Sequence, residues 1–321
     1  MQLPTLADIE SAARTVYAAM PPTPQYRWPL LCEQLGTEVW TKHENHTPTG
    51  AFKVRGGLTY FETLAVREPA CTGVISATCG NHGQSVGFAA RAKGIAATIV
   101  VPHGNSKEKN AAMRALGVTL IEHGDDFQAA REHAQALGAR DGLHSIPSFH
   151  ADLLSGVATY WWELLRAVPD LDVIYVPIGM GSGFAALAAA RAALGSKSPK
   201  VEIVGVVSAH APAYALSFAA GRPVNHPSTT QISDGTACTT PDADAVAIVC
   251  AHAARIVQVD DAAVRAAMKS IYQATHNVAE GAGAIAWAAA LQERERLKGK
   301  RVAWTLCGGN VDADVFAEVL R

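Results

Sequence analysis

Short apolar runs rich in valine and isoleucine alternate along the chain with alanine-rich segments whose apolar residues recur every three or four positions. Short β-branched runs predict strands, and the longer period predicts helices. The predicted strands are 73–76, 97–101, 119–122, 173–177, 203–207, 256–259 and 302–306. The predicted helices are 54–65, 84–92, 107–116, 127–137, 153–168, 184–194, 261–275, 282–297 and 312–320.

This alternation of strands and helices predicts the α/β class. Parallel neighbours need crossover connections, which cover a mostly parallel sheet with helices on both faces. A chain of 321 residues is long enough for about two domains. Composition marks no sharp boundary, and the proline-bearing segment 147–154 is the best candidate for a hinge.

Charge and cysteine content exclude several classes of partner. The formal net charge is −2, which gives no field that would attract nucleic acid or an anionic membrane. Residues 1–20 contain Asp8, Glu10 and Arg14 and therefore lack the pattern of a secretion signal. The six cysteines form no C-x-x-C pair, which favours free thiols in a reducing cytoplasm.

A single lysine, Lys53, follows Phe52 where a polar turn becomes a helix. Burial and the positive end of the helix dipole both favour its neutral amine, which is a nucleophile. Such an amine can form a Schiff base with an aldehyde cofactor, with Phe52 against the cofactor ring. Most lysines near helix starts are solvated surface charges, so this reading needs support from elsewhere in the chain.

A second candidate is the glycine-rich segment 179–183, which follows the predicted strand 173–177 and opens an alanine-rich helix. Glycines let successive amides turn toward one anion, and the helix start adds partial positive charge. The same pattern also fits a dinucleotide site or a plain tight turn. From these residues alone, the three alternatives stay open.

Five segments, taken in order, resemble the pyridoxal-phosphate enzymes of fold type II, the group that contains threonine and serine dehydratases, serine racemase, threonine synthase and cysteine synthase. The matching segments are T-G-A-F-K-V-R-G-G at 49–57, T-C-G-N-H-G-Q at 78–84, V-P-I-G-M-G-S-G at 176–183, N-V-A-E-G-A-G-A at 277–284 and C-G-G-N-V-D at 307–312. The resemblance covers nearly the whole chain. It implies that Lys53 and the glycine segment 179–183 bind the same cofactor, pyridoxal 5′-phosphate.

The resemblance implies two open, mostly parallel sheets flanked by helices, as in the tryptophan synthase β subunit, with the cofactor in the cleft between them. It implies a small domain at 53–149 and a large, cofactor-binding domain at 1–52 plus 150–321. It implies Lys53 as the catalytic residue. The implied cofactor-binding residues are Phe52, Lys53, Asn81, Gly179, Met180, Gly181, Ser182, Gly183, Glu280 and Cys307. The implied substrate-binding residues are Thr78, Cys79, Gly80, Asn81 and His82.

The reaction that the resemblance implies is a β-elimination from a hydroxy amino acid such as threonine or serine, giving a 2-oxo acid and ammonia. Cys307 is expected to face the pyridine nitrogen, where a neutral thiol makes the ring a weaker electron sink. Cys79 stands where serine racemase carries its second acid/base, so a racemase is one alternative and a β-replacement enzyme is another. Outside this cofactor class, the alternative is a nicotinamide-dependent oxidoreductase that uses the 179–183 segment.

Further expectations concern specificity and assembly. Val157 and Ala158 depart from the family's usual residues, and we expect them to alter the pocket for a bulkier substituent such as that of phenylserine. Segment 207–214 lacks the carboxylates that bind metal in serine racemase, so no metal is expected. Family members are commonly dimers or tetramers, which predicts a homo-oligomer. We expect a cytoplasmic enzyme of amino-acid catabolism.

Overall fold

The computed structural model describes residues 1–195 and 201–321, which form two sheets flanked by helices. The strands are β1 (Gln25–Tyr26), β2 (Val39–His43), β3 (Gly73–Ala77), β4 (Ala96–Val101), β5 (Thr119–Glu122), β6 (His144–Ser145), β7 (Val173–Pro177), β8 (Glu202–Ser208), β9 (Arg255–Val259) and β10 (Val302–Leu306). The helices are α1 (Leu6–Ala19), α2 (Pro29–Leu35), α3 (Lys53–Arg67), α4 (Asn81–Lys93), α5 (Lys107–Ala115), α6 (Phe127–Asp141), α7 (Ala151–Ala167), α8 (Ser182–Ala193), α9 (Ala213–Ala220), α10 (Ala243–His252), α11 (Asp261–Thr275), α12 (Gly281–Gln292) and α13 (Ala313–Leu320).

The large sheet has the strand order β1-β2-β10-β7-β8-β9, and the small sheet has the order β5-β4-β3-β6. The pairings are parallel except for β1 against β2, which is antiparallel. Central β10 pairs with β2 through Val302 and Val39, and with β7 through Val302 and Val173. The predicted α/β class with mostly parallel sheets is confirmed.

The small sheet is built from one continuous stretch of chain, whereas the large sheet combines strands from before and after it. The chain leaves β2, runs through α3 into β3–β6, and returns through α7 to β7. Helices α3 and α7 pack against each other at this double crossing. The start of α3 therefore lies beside the large sheet although its chain continues into the small one.

All seven predicted strands are confirmed, and each predicted helix corresponds to an observed one. The sequence pattern did not predict β1, β2, β6, α1, α2, α9 or α10. The helix predicted at 282–297 ends at Gln292 and is followed by a single 3₁₀ turn at Arg294–Leu297.

Some segments are apolar on every face because they are buried in the core on every side. Strand β7 is buried on both faces, as expected for the middle of a parallel sheet. Helix α12 consists mainly of glycine and alanine and packs closely on the large sheet, with Trp287 fully buried. Even so, within the described ranges no helix combines the length and apolar character needed to cross a membrane.

The expectation that Val157 and Ala158 reshape a substrate pocket is wrong. Both are buried in α7, and Val157 Cγ2 lies 3.1 Å from the position that a Cβ on Gly56 of α3 would take. Neither side chain lines the cavity that contains Lys53. Their apolar character serves the close packing of α3 on α7.

An ionic network, buried except for a small exposed part of Glu163, fixes the start of α3. The Arg55 guanidinium donates to Glu44 Oε2 at 2.7 Å and to Glu163 Oε1 at 2.6 Å. Lys42 Nζ donates to Glu163 Oε2 at 2.6 Å and to the Thr23 carbonyl at 2.6 Å. Two buried cations thus face two buried carboxylates, which is the condition under which such charges are tolerated away from water.

Replacing Arg55 with leucine should lower the free energy of unfolding by about 3–5 kcal/mol, because the buried carboxylate of Glu44 loses its cation and Glu163 keeps only Lys42. Urea unfolding followed by circular dichroism measures this loss. The matched control is Arg67→Leu on the same helix, since Arg67 is 41% exposed and pairs with Asp152 at the surface. Its expected cost is below about 1 kcal/mol. Equal costs for the two variants would contradict the structural role of the network.

Candidate active site

A cavity of about 140 Å³ lies between the two sheets, and its walls come from segments that follow β3, β7 and β10. Ligand sites of α/β proteins commonly form at the carboxyl ends of parallel strands. Every site residue expected from the sequence lines this one cavity: Phe52, Lys53, Thr78, Cys79, Gly80, Asn81, His82, Gly179, Met180, Gly181, Ser182, Gly183, Glu280 and Cys307.

Lys53 is the first residue of α3, and its amine faces the cavity. Its Nζ donates to Ser182 Oγ at 3.3 Å and lies 5.3 Å from the centre of the Phe52 ring. Burial lowers the pKa of Lys53 to about 8, although the nearby Cys307 opposes this shift. More of the amine is therefore neutral than in an ordinary lysine, whose pKa is 10.5, and this neutral form can act as a nucleophile or base.

The glycine segment 179–183 bends tightly from β7 into α8. Gly181 has φ 97°, a left-handed conformation that favours glycine. A Cβ on Gly179 would lie 2.2 Å from the Gly235 carbonyl oxygen, so a side chain there is excluded. No side chain caps the start of α8. Its first amides, together with the Ser182 hydroxyl, can therefore bind an anion at the floor of the cavity.

The segment 78–82 forms the opposite wall, between β3 and α4. The Gly80 amide donates to Thr78 Oγ1 at 3.1 Å, which shapes the turn. His82 is buried, and burial lowers its pKa to about 3, so the imidazole is neutral. Burial likewise raises the pKa of Cys79 to about 11, which keeps its thiol protonated. This wall thus presents neutral donors and the start of a helix to the cavity.

Cys307 and Glu280 close the cavity beside the end of β10. Cys307 Sγ lies 3.2 Å from the Ala282 carbonyl oxygen, and burial raises its pKa well above the usual value. Glu280 accepts a hydrogen bond from Asn81 Nδ2 at 2.6 Å. Burial also raises the pKa of Glu280. The part of the cavity between Glu280 and Cys307 is therefore bordered by a neutral thiol.

The sequence matches the family described as pyridoxal-phosphate dependent enzymes over residues 16–308. The chain belongs to this family.

The sequences of individual relatives align with this pyridoxal-phosphate enzyme over nearly its full length. The L-threonine ammonia-lyase of Thermotoga maritima is 31% identical over 318 residues, covering 99% of this chain and 78% of that protein. The L-threo-3-hydroxyaspartate ammonia-lyase of Saccharomyces cerevisiae is 30% identical over 321 residues, covering 100% and 97%. The solved structure of maize serine racemase has a TM-score of 0.90 at 27% identity, covering 99% and 97%.

The residues present fit the family's cofactor. The cradle at 179–183 offers uncapped amides for a phosphate, and Lys53 offers an enclosed amine for an aldehyde. One buried polar atom on the cavity wall, His82 Nε2, makes no hydrogen bond within the described residues. In the same part of the chain, no group of three or more His, Cys, Asp and Glu side chains is arranged to hold a metal ion. The family match also removes the support for a nicotinamide site at this loop.

Several residues that support the cavity were not expected from the sequence. The Trp161 indole donates to the Gly183 carbonyl at 2.9 Å, and the Tyr214 hydroxyl donates to the Met180 carbonyl at 3.0 Å, so both hold the glycine segment in place. Asn310 Nδ2 donates to Asn81 Oδ1 at 2.8 Å. Asn310 belongs to a matched motif and could have been found there, whereas nothing local to the two aromatic residues indicates their role.

Lys109 is a further unexpected wall residue, and it joins the two sides of the cavity. It lies on α5, beside the small sheet, and is only 7% exposed. Its Nζ lies 2.5 Å from Asp234 Oδ2 and 3.3 Å from Glu280 Oε2. Burial alone would lower the pKa of Lys109, but the two carboxylates raise it, so the ammonium stays charged.

A reciprocal pair of helix caps joins the same two sides outside the cavity. Asp312 stands at the start of α13, but its carboxylate accepts from the amides of Lys107 and Glu108, at the start of α5, each at 3.2 Å. Glu108 Oε1 in turn accepts from the Ala313 amide, in the first turn of α13, at 2.8 Å. Helix α5 also has its own N-cap, Ser106, which accepts from the Lys109 amide. The exchange between Asp312 and Glu108 therefore adds acceptors to both helix starts and connects the small sheet to the large one.

In the cofactor-free protein, the Lys53 amine should react with an acylating reagent with a midpoint at a pH of about 8. The lowered pKa makes the reactive neutral form dominant above this pH. Competitive labelling, read by mass spectrometry of the Lys53 peptide, measures the midpoint. The control is the same peptide in urea-unfolded protein, for which the ordinary lysine value of 10.5 is expected. Identical midpoints in the folded and unfolded protein would contradict burial of the amine.

Replacing Asp312 with alanine should lower the free energy of unfolding by about 1–2 kcal/mol, the usual cost of losing a helix cap. The reason is that the α5 amides lose their acceptor. Urea unfolding measures the change. Asp314→Ala is the matched control, because Asp314 is exposed on the same helix and its carboxylate bonds only the neighbouring Val315 amide. A loss in the control as large as in Asp312→Ala would show that general helix charge, not the reciprocal cap, is responsible.

Proposed function

We propose that this enzyme is an ammonia-lyase that dehydrates and deaminates a β-hydroxy-α-amino acid of the threonine or serine type to a 2-oxo acid and ammonia. The observation that carries the proposal is the enclosed amine of Lys53, whose pKa is lowered to about 8, beside Ser182 at the glycine segment 179–183. The names of the Thermotoga and yeast relatives support the same reaction class. Bound in this cavity, pyridoxal phosphate would supply an aldehyde for the amine and a ring that stabilises negative charge at the α-carbon.

We assign the residue roles as follows. The amides of the 179–183 cradle and the Ser182 hydroxyl bind the phosphate, Phe52 lies against the ring, and Cys307 faces the ring nitrogen as a neutral thiol. Asn81 and Glu280, which are hydrogen-bonded to each other, border the ring. Thr78, Cys79, Gly80, Asn81 and His82 bind the substrate at the start of α4, where a helix N-terminus favours its carboxylate.

The reaction then depends on one proton transfer at the α-carbon. The neutral Lys53 amine takes the α-proton and becomes an ammonium, and the hydroxyl leaves the β-carbon as the double bond between the α- and β-carbons forms. The proton carried by Lys53 balances the departing hydroxide, so that one water is eliminated and the neutral amine is restored. The resulting enamine tautomerises to an imine, and water hydrolyses this imine to the 2-oxo acid and ammonia. Neutral His82 and protonated Cys79 add no charge beside the substrate.

Racemisation is the second candidate, and a specific observation favours it. The protonated Cys79 thiol lines the cavity in the segment where the related serine racemases carry an acid/base. A thiol there could return a proton to the face of the α-carbon opposite Lys53. Chiral analysis of recovered substrate separates the two outcomes, because elimination consumes the amino acid and racemisation does not.

We also propose the chain division at 53–149 and 1–52 plus 150–321 as two domains. The small sheet draws its strands from the first range and the large sheet from the second, which supports this division. We further propose a cytoplasmic homodimer or homotetramer. The six free cysteines support a reducing compartment. The proposed oligomer is based on the dimers and tetramers that are common in the family.

The function is tested with a substrate panel: L-threonine, L-serine, L-threo-3-hydroxyaspartate and threo-phenylserine. We expect equal amounts of 2-oxo acid and ammonia from at least one of them. Lys53→Ala should lower kcat/KM by about 10³-fold or more, since it removes the base. Lys107→Ala, an exposed lysine on α5, is the control and should retain activity. Recovery of the opposite enantiomer without 2-oxo acid would reject the lyase in favour of the racemase.

A further inference from the structure

Lys109 enters the wall of the cavity from the side of the small sheet. Its stem packs over the segment 78–82, since a Cβ on Gly80 would overlap the Cδ of the lysine. Its ammonium reaches the opposite wall, where Nζ lies 2.5 Å from Asp234 Oδ2 and 3.3 Å from Glu280 Oε2. Asp234 is 44% exposed, so water also solvates its charge, whereas Glu280 is buried. Within the described parts of the chain, Lys109 is the cation paired with Glu280.

The Glu280 carboxylate lies between two donors. Its Oε1 accepts from Asn81 Nδ2 at 2.6 Å, and its Oε2 faces the Lys109 ammonium. A Cβ on Gly308 would overlap Oε1, so the carboxylate is packed against the backbone that follows β10. An ionised carboxylate satisfies both donors, whereas a proton on it would compete with them. Burial raises the pKa of Glu280, and the charge of Lys109 opposes this shift.

The direction of the Asn81 amide follows from its two neighbours. Its Nδ2 donates to the Glu280 carboxylate, and its Oδ1 accepts from Asn310 Nδ2 at 2.8 Å. The same Nδ2 of Asn310 donates to the Thr49 carbonyl at 2.8 Å, which fixes Asn310 as well. An amide nitrogen carries two hydrogens, and Glu280 takes one of those on Asn81. Across the described residues the other one makes no hydrogen bond, and Asn81 lines the cavity.

We propose that Lys109 is a positioning residue that directs Asn81 toward the cofactor. Its charge keeps Glu280 as the acceptor of one Asn81 hydrogen, so that the other hydrogen is presented to an oxygen of the bound cofactor. The expected acceptor is the phenolic oxygen of pyridoxal phosphate, which lies beside the aldehyde on its ring. The inference rests on the proposed role of Asn81 beside that ring, and it holds equally for elimination and racemisation.

A purely structural role for Lys109 predicts a different result. Its ion pairs also connect the small sheet to the large one, so that losing the lysine would weaken the cavity wall without acting through Asn81. The two roles differ in what happens when the charge of Glu280 is removed as well. The Glu280→Gln side chain still offers an oxygen to Asn81 and needs no cation. It should therefore restore the amide in a protein that lacks Lys109, but it cannot restore an ion pair between the sheets.

The first experiment measures cofactor affinity and absorbance, without substrate. In Lys109→Met the buried carboxylate loses its cation and takes up a proton, so the Asn81 amide loses its fixed direction. We expect the Kd of pyridoxal phosphate, from titration of the cofactor-free protein, to rise about tenfold, as the loss of a hydrogen bond allows. The visible absorbance band of the holoenzyme should also lose intensity relative to its near-ultraviolet band, because a donor to the phenolic oxygen favours the anionic form. Lys109→Arg keeps the charge and should retain most of both properties.

A rescue variant and a matched control separate the two roles. Lys109→Met/Glu280→Gln should recover the absorbance ratio and most of the affinity. Asp234→Asn removes the other partner of Lys109 and leaves its charge beside Glu280, so it should match the wild type. A double variant as impaired as Lys109→Met, or an equal loss in Asp234→Asn, overturns the proposal and assigns the lysine to the connection between the sheets. If Lys109→Met does not fold, as judged by circular dichroism, the double variant still decides, because a structural lysine would leave it unfolded too.

The last experiment separates this inference from the proposed role of Asn81. Asn81→Ala should change the absorbance and the cofactor affinity in the same direction as Lys109→Met. If Asn81→Ala leaves both unchanged, the proposed contact of Asn81 with the ring is rejected together with this inference. If Asn81→Ala changes both and Lys109→Met changes neither, Asn81 keeps its role and only the positioning by Lys109 is rejected. Neither result depends on which amino acid the enzyme accepts, so the proposed lyase is tested independently by its substrate panel.

Discussion

The buried contact of Arg55 with Glu44 and Glu163 is the constraint on which the site depends. Arg55 lies two residues beyond Lys53, and its partners come from the turn after β2 and from α7. This network fixes the first turn of α3 against the large sheet, even though the rest of α3 packs on α4 beside the small sheet. The Lys53 amine can face the glycine segment 179–183 only because α3 begins beside the large sheet.

Burial then decides the chemistry of the groups around that amine. The same desolvation that lowers the pKa of Lys53 raises the pKa of Cys307 and lowers that of His82. The groups that face the reacting centre are therefore mostly neutral, and the charges of this region are confined to paired sites such as Lys109 with Asp234. Burial disfavours the ammonium form of the amine, so more of the amine is available in the neutral form that can act as a base.

The sequence predicted the parallel strands and the set of cavity residues because both depend on local patterns. Apolar runs and glycine turns are local patterns, and the cavity residues lie in five short motifs whose resemblance to a known family implied their roles. It did not predict β2, because Thr41, Lys42 and His43 are polar and yet fully buried, and the partner that makes this possible, Glu163, lies 121 residues away. Lys109 was missed for the same reason: a helix sequence does not indicate what faces it from another part of the chain.

The exchange of carboxylates between Asp312 and Glu108 links the stability of two helix ends to the position of the small sheet. If the sheets move apart, α5 and α13 both lose their acceptors in the same step, and several amides must find water instead. Helix α5 would then keep only its own N-cap, Ser106, which accepts from the Lys109 amide. Displacing the small sheet therefore carries a free-energy cost that comes from helix ends remote from the reacting carbon and does not depend on which amino acid is bound.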